Sequence, residues 1–123
     1  MKKILIVEDE EKIRKVINIL VKSDEVAADE ASDGMEALNK IKNNDYDLVI
    51  LDLMLPVVDG MTILKDIRAD SRTAALPVIV VSAKNLNQDL LDGFQGGANY
   101  YITKPFEPKE LIDSIELILG VKY

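Results

Sequence analysis

The chain contains no cysteine and no histidine. The first absence excludes disulfides, thiolate metal sites and cysteine nucleophiles. The second removes the commonest general base, the commonest transition-metal ligand and any phosphohistidine on this chain. Long hydrophobic runs are missing too: none approaches the roughly 18 residues that a membrane span needs. Met1-Lys2-Lys3 leads into a run too short for a secretory signal, and no small-residue cleavage site follows. The sequence therefore predicts a cytoplasmic protein with no membrane association. Basic charge is in deficit, with 15 Lys and Arg against 22 Asp and Glu and a net charge of −7. Phosphate backbones are met by basic patches, so this balance argues against nucleic acid as a direct partner.

What is present suits one globular domain. The 123 residues are 48% hydrophobic, enough for a proper core. No repeat, low-complexity segment or linker interrupts them, and a single domain over 1–123 is expected, with no second domain attached. Four apolar runs stand out: Ile4–Val7, Leu48–Leu51, Val78–Val81 and Tyr100–Ile102. The first three lack alternation, as expected for parallel strands covered on both faces. Helical patterns lie between them. Ile13, Val16, Ile17, Leu20 and Val21 mark one face of a helix over roughly 10–22. Asp33 with Glu36 resembles a capping box opening a helix with Met35, Leu38 and Ile41 inside. Asp59 can cap a helix carrying Met61, Leu64 and Ile67. A further helix over roughly 86–95 places Leu90, Leu91 and Phe94 inward. Pro108 suits the first turn of a last helix, striped by Leu111, Ile112, Ile115, Ile118 and Leu119. Val26–Ala31 completes the alternation as a strand, and Asp29-Glu30 within it suits a protected edge. Five βα units predict an α/β fold built on a parallel sheet.

The strands end in a telling way. The first runs into Glu8-Asp9, the third into Asp52, the fourth into Ser82 and the fifth into Lys104. In a parallel sheet these ends share one side, where ligands of open α/β sheets bind. Taken alone, each residue has an ordinary reading. Asp52 could form a turn ahead of Pro56. Glu8 and Asp9 could complement a helix dipole. Ser82 could cap a helix, Lys104 could be a solvated lysine, and Pro105 could be a plain stop. Tyr100 and Tyr101 are most simply an alternating pair on an edge strand, one inward and one outward. The joint convergence is what these readings leave unexplained. Three crowded carboxylates repel one another unless a hard cation benefits, and Mg²⁺ uses one or two carboxylates with water and phosphate oxygens. A carboxylate beside a metal, a lysine and a hydroxyl is equipment for receiving a phosphoryl group.

The set "ILIVEDE", "LVILDLMLPVVDG", "PVIVVSAK" and "GGANYYITKPF" resembles the receiver domain of two-component response regulators, in order and over essentially the whole chain. The resemblance implies a doubly wound, flavodoxin-like (βα)5 fold with strand order 2-1-3-4-5, which puts the weak second strand at an edge. It implies that Asp52 is the phosphoacceptor, taking a phosphoryl group from a histidine kinase or a histidine phosphotransfer protein. Asp9 and Asp52 would bind Mg²⁺ directly, the backbone carbonyl of Met54 would be a third ligand, and Glu8 would support the ion through water. Lys104 would contact the phosphoryl group and, before phosphorylation, Asp52. Ser82 would hydrogen-bond the phosphoryl group, and Tyr101 would be the switch aromatic that moves inward with it. The Lys104–Pro105 bond matches the family's cis peptide, and Pro56 and Gly60 match the loop after the phosphoacceptor. Met54 and Lys84 would border the path of the water that hydrolyses the acyl phosphate; a bulky apolar side chain and a charged one both hinder it, so a persistent phosphoryl group is expected.

This sequence departs from the commonest family pattern in places. Glu-Asp stands where Asp-Asp is frequent, and Ser82 stands where Thr is frequent; both exchanges keep the chemistry. "GGANYY" lacks the paired acids, and "KELIDSIELIL" the basic residues, that DNA-binding regulators of this family use to pair their receivers. A monomer or weak dimer is therefore expected, and its output is either contact with a downstream protein effector or that of a longer protein from which the receiver was excised. The rival reading is a pseudo-receiver that acts as an interaction module without phosphorylation. A flavodoxin would need a Ser/Thr/Gly-rich phosphate loop where the chain reads "EDEEK". An aspartyl-nucleophile phosphatase would carry a second acid at Met54. The expectation is a signalling switch, not an enzyme beyond its own phosphotransfer and dephosphorylation.

Overall fold

Neither face of the central strands can be left to water, and the computed structural model, which describes residues 1–83 and 97–123, shows how both are covered. The elements run β1 (Lys2–Val7), α1 (Glu11–Val21), β2 (Val26–Ala31), α2 (Gly34–Asn43), β3 (Leu48–Leu51), α3 (Gly60–Ala69), β4 (Val78–Ser82), β5 (Tyr100–Thr103) and α4 (Pro108–Leu119). All five strands are parallel, in the order β2-β1-β3-β4-β5. The parallel α/β sheet is the one that the sequence pattern predicts, and its doubly wound order is the one that the resemblance implies. The helix expected over 86–95 lies outside the described residues.

Alternate side chains along each strand serve opposite layers. Leu5, Val7, Val49 and Leu51 pack under Ala37 and Ile41 of α2 and Ile63 and Ile67 of α3. Ile4, Ile6, Leu48 and Ile50 pack under Ile17 and Val21 of α1 and Leu111 and Ile115 of α4. Both sets are apolar, so the strands read as unbroken hydrophobic runs. Among the described residues, no helix is long and apolar enough to cross a membrane.

Two helix faces differ from the sequence pattern. Val16 and Met35, expected inward, are half exposed. In α1 the sheet is met by Ile17 and Val21, and Val16 lies about 100° around the axis from Ile17. In α2 the inward direction is that of Ala37 and Ile41, and Met35 sits about 200° from Ala37. The cap of α2 is also modified. Asp33 accepts from the Glu36 N–H at 2.8 Å, but the Glu36 carboxylate reaches back to the Ser32 hydroxyl at 3.1 Å rather than to Asp33 itself. Asp59 caps α3 as expected, accepting from the Thr62 N–H at 2.9 Å, and Pro108 opens α4.

Edge strand β2 keeps its two acids because each has partners on its own side of the sheet. Tyr46 donates to Asp29 at 2.8 Å. Arg14 and Asn18 donate to Glu30 at 2.8 and 2.7 Å, and Lys15 pairs with it. Burial would push the Glu30 carboxyl up, but the Arg14 and Lys15 contacts outweigh it and hold the group below the usual range.

At the amino ends of the strands, Arg68 of α3 gathers the returning chain. It donates to the Gly97 carbonyl at 2.8 Å, the Leu76 carbonyl at 2.6 Å and Asn99 Oδ1 at 3.0 Å. Asn99 in turn brackets Val78: its Oδ1 accepts from the Val78 N–H at 2.9 Å, and its own N–H donates to the Val78 carbonyl at 2.8 Å. The start of β5 is thereby tied to both α3 and β4.

At the opposite end, the loop from β3 to α3 folds tightly. The Val58 N–H donates to the Pro56 carbonyl at 2.9 Å, closing a three-residue turn around Val57, whose φ is 71°. A β-branched residue is strongly disfavoured there. Two glycines let helices close on this loop. A Cβ on Gly34 would lie 2.1 Å from the Val58 carbonyl oxygen, and one on Gly60 would lie 2.3 Å from the Asp52 carbonyl oxygen.

Two substitutions check these points. Arg68→Met removes charged donors from part-buried carbonyls and should cost about 2 kcal/mol, read as a lower urea midpoint with an unchanged slope; an unchanged midpoint would show that water replaces the guanidinium without loss. Val57→Gly should instead stabilise the fold by about 1 kcal/mol, the relief of left-handed backbone strain exceeding the extra chain entropy of glycine. A lower melting temperature for this variant would show that Val57 is not strained.

Candidate functional site

The polar residues at the carboxyl ends of the strands are fixed by the sheet itself. Parallel ladder bonds continue one step past the strands: Glu8 N–H donates to the Ala31 carbonyl at 3.1 Å, Asp52 N–H to the Val7 carbonyl at 3.0 Å, and Lys104 N–H to the Ser82 carbonyl at 3.0 Å. The carbonyl of Glu8 is held as well, by Arg14 Nη1 at 3.0 Å. Side chains leaving such pinned backbones have little freedom of position.

They converge on one cation. Lys104 Nζ lies 2.6 Å from Glu8 Oε1 and 2.8 Å from Asp52 Oδ2. The other carboxylate oxygens meet backbone donors, Glu8 Oε2 accepting from the Glu10 N–H at 3.1 Å and Asp52 Oδ1 from the Met54 N–H at 2.9 Å. Glu8 is 1% and Asp52 5% exposed, so both charges are nearly out of water. Among the described residues, no buried side-chain nitrogen or oxygen lacks a hydrogen-bond partner.

The electrostatics follow from burial and crowding. Burial pushes the Glu8 carboxyl up, and the Asp52 charge adds to this; Lys104 and the Glu10 N–H oppose it without cancelling it. Burial works against the Lys104 ammonium, but its two carboxylate partners outweigh that and hold it above the ordinary lysine value. Burial raises the Tyr101 phenol, a hydrogen bond with Ser82 opposes the shift, and the Asp52 charge adds to it.

Glu8, Asp9 and Asp52 can each present one oxygen, all within 4.8 Å of one another. Asp9 is the exposed member and opens the group to solvent. An all-oxygen, all-carboxylate donor set suits a hard divalent cation such as Mg²⁺ and not a soft metal. The residues present thus fit such an ion.

The structure brings together the residues singled out in the sequence. Ser82 is fully buried at the end of β4, level with Thr103 of β5. The Lys104–Pro105 bond is cis. Tyr101 is half-buried against the α2/α3 layer while Tyr100 faces solvent, the alternation expected of the pair. The Met54 side chain is 57% exposed beside the mouth. Lys84 lies outside the described residues. Three features have no counterpart in the sequence reading: the Glu8–Lys104 contact, the Arg14 link from Glu8 to β2, and the Gly34 approach to Val58. Each depends on which segments the fold makes neighbours, which no local pattern displays. A groove of about 460 Å³ opens beside Lys104, lined by Ile13, Val16, Ala83 and Phe106. It accounts for the exposure of Val16.

Comparison with known proteins agrees with this geometry. The family model "response regulator receiver domain" matches residues 4–116. The transcriptional regulatory protein ResD of Bacillus subtilis is 38% identical over 117 residues, covering 95% of this chain and 48% of that protein. The chain spans about half the length of the curated relatives it matches. Among solved structures, the receiver domain of Francisella response regulator 1452 superposes with a TM-score of 0.88 at 32% identity, covering 98% of each chain. The receiver domain of the Pseudomonas aeruginosa sensor histidine kinase PA1611, with a magnesium ion coordinated in its active-site cleft, gives 0.86 at 31% identity, again over 98% of each chain. On sequence and on fold alike, this chain belongs to the receiver domains of two-component response regulators.

Proposed function

We propose that the chain is a phosphorylation-dependent switch in which Asp52 accepts a phosphoryl group from a histidine on a partner kinase or phosphotransfer protein. The observation that carries this reading is Asp52 itself, a nearly buried carboxylate with a lysine 2.8 Å from one oxygen and two more acids alongside. An Asp52 oxygen would form the new bond to phosphorus as the bond from phosphorus to the donor's imidazole nitrogen breaks. Lys104 is placed to neutralise charge on the phosphoryl oxygens. Mg²⁺ held by Asp9 and Asp52, with the Met54 carbonyl and Glu8 through water, would supply further neutralisation of the same oxygens. The buried Ser82 hydroxyl would donate to the new group, and Tyr101, joined to Ser82 by a hydrogen bond, would carry that change to the protein's surface. The apolar groove beside Lys104 offers the donor protein a seat next to the reacting oxygen.

Two experiments test this function. Asp52→Asn should abolish labelling by acetyl phosphate or a kinase, because an amide forms no acyl phosphate; labelling at the wild-type rate would assign the phosphoryl group elsewhere. Met54→Asn should speed loss of label from purified phosphoprotein, by up to the ~10-fold that 1.4 kcal/mol of barrier represents, because an amide can orient the attacking water where a thioether cannot. Loss at the wild-type rate would remove Met54 from control of that water.

A further inference from the structure

The shortest contact to the Lys104 ammonium is with Glu8, not with the proposed phosphoacceptor. We propose that Glu8 is a second seat for Lys104, and that by sharing the ammonium with Asp52 it holds back the binding of a divalent cation in the mouth. This rests on the reading of the mouth as a cation site.

The seat is built, not incidental. The Glu8 N–H is tied to Ala31 and its carbonyl to Arg14, so its backbone cannot shift toward or away from the lysine. Lys104 is tied through its own N–H to Ser82. Between two fixed backbones, a glutamate places Oε1 at 2.6 Å from Nζ while Oε2 is steadied by the Glu10 N–H at 3.1 Å. An aspartate at this position, one methylene shorter, keeps the carboxylate in the mouth but sets it back from Nζ, so a lysine held by Asp52 in its present place loses the Glu8 contact.

The consequence is a competition. The ammonium neutralises two of the three carboxylates that a divalent ion would use, and its charge repels that ion across a site with little water. Two seats hold the ammonium more firmly than one. A cation entering the mouth must therefore act against an ammonium anchored from both sides, and binding of the two is linked with opposite sign. Glu8 in this role is a positioning residue: it acts through Lys104.

Titration calorimetry of the purified chain with MgCl₂ tests this, together with ¹⁵N-lysine ammonium signals as a direct view of Lys104. Glu8→Asp should bind Mg²⁺ at least about fivefold more tightly than wild type, the lower end of ordinary site-to-site coupling. The metal-free wild type should show a slowly exchanging Lys104 ammonium signal, its Nζ being held by both Glu8 and Asp52, and Glu8→Asp should lose it. Lys104→Met should bind Mg²⁺ more tightly still, and Glu8→Asp added to it should bring no further gain. Equal or weaker Mg²⁺ binding by Glu8→Asp would overturn the proposal, as would gains from the two substitutions that simply add. Asp9→Asn separates the two levels of inference. If it abolishes Mg²⁺ binding while Glu8→Asp changes nothing, the cation site stands and the second seat falls. If wild type binds no Mg²⁺, or binds it regardless of Asp9, the cation site falls and the second seat with it.

Discussion

The structure depends on one ammonium group placed between two buried carboxylates. Lys104 meets Glu8 and Asp52 at 2.6 and 2.8 Å in a mouth that excludes most solvent. Two like charges with oxygens within 4.8 Å of one another would repel strongly in water-poor surroundings, and each would also lose its hydration. A single lysine offsets both effects in part, leaving the Glu8 carboxyl above its usual range, and backbone N–H groups of Glu10 and Met54 satisfy the oxygens it does not reach. Lys104 lies 52 residues from Asp52 and 96 from Glu8, so only the finished sheet can bring the three together. The site is thus a direct product of tertiary structure.

Strand order does the assembling. β1 lies between β2 and β3, and β4 between β3 and β5, so Glu8 and Asp52 leave adjacent strands while Lys104 comes from the far side of β4. The ladder bonds that run one residue beyond the strands give these three side chains the rigidity of the sheet without making them part of it. The helices then close from the α2/α3 side only because Gly34 and Gly60 carry no Cβ, which lets α2 and α3 approach the loop behind Asp52. A fold that needs unhindered approach at two helix starts and accepts a valine at φ 71° in the same loop has placed close packing next to the buried Asp52 carboxylate. Local strain tends to gather at such places.

The sequence made much of this legible, for identifiable reasons. Unbroken apolar runs ending in Glu8-Asp9, Asp52 and Ser82 announced parallel strands and a polar mouth, because strand direction alone puts those ends together. Asp33, Asp59 and Pro108 marked helix starts through local chemistry that the structure retains. Other features were illegible because they are relations between distant segments. Nothing in "EDEEK" shows that Glu8 will reach Lys104 or that Arg14 will span from Glu8 to Glu30. Val16 reads as core by periodicity, yet it borders a groove lined across from it by Lys104, Pro105 and Phe106, the segment between β5 and α4, and only their placement exposes it. Val57 was hidden for the opposite reason: its local preference points away from the conformation it adopts, so propensity predicts the wrong backbone there.

The two ends of the sheet differ in how they are held, and the difference bears on function. At the amino ends, Arg68 and Asn99 join α3, β4 and the start of β5 through backbone groups, and Arg72 donates to the Ile41 carbonyl at the end of α2. Bonds of this kind persist whatever the charge at the mouth. At the carboxyl ends, Glu8, Asp52 and Lys104 are held to one another by charge, with rigid backbones but side-chain contacts that a new anion or cation would rearrange. The sheet therefore acts as a fixed frame, locked at the end away from the chemistry, and electrostatic change at the mouth finds its freedom in side chains. Tyr101 sits at the junction of the two regimes: its strand is anchored from below at Asn99, while its phenol is hydrogen-bonded to Ser82 at the mouth and feels the Asp52 charge. A side chain so placed can respond to the charge of the site without disturbing the strand that carries it.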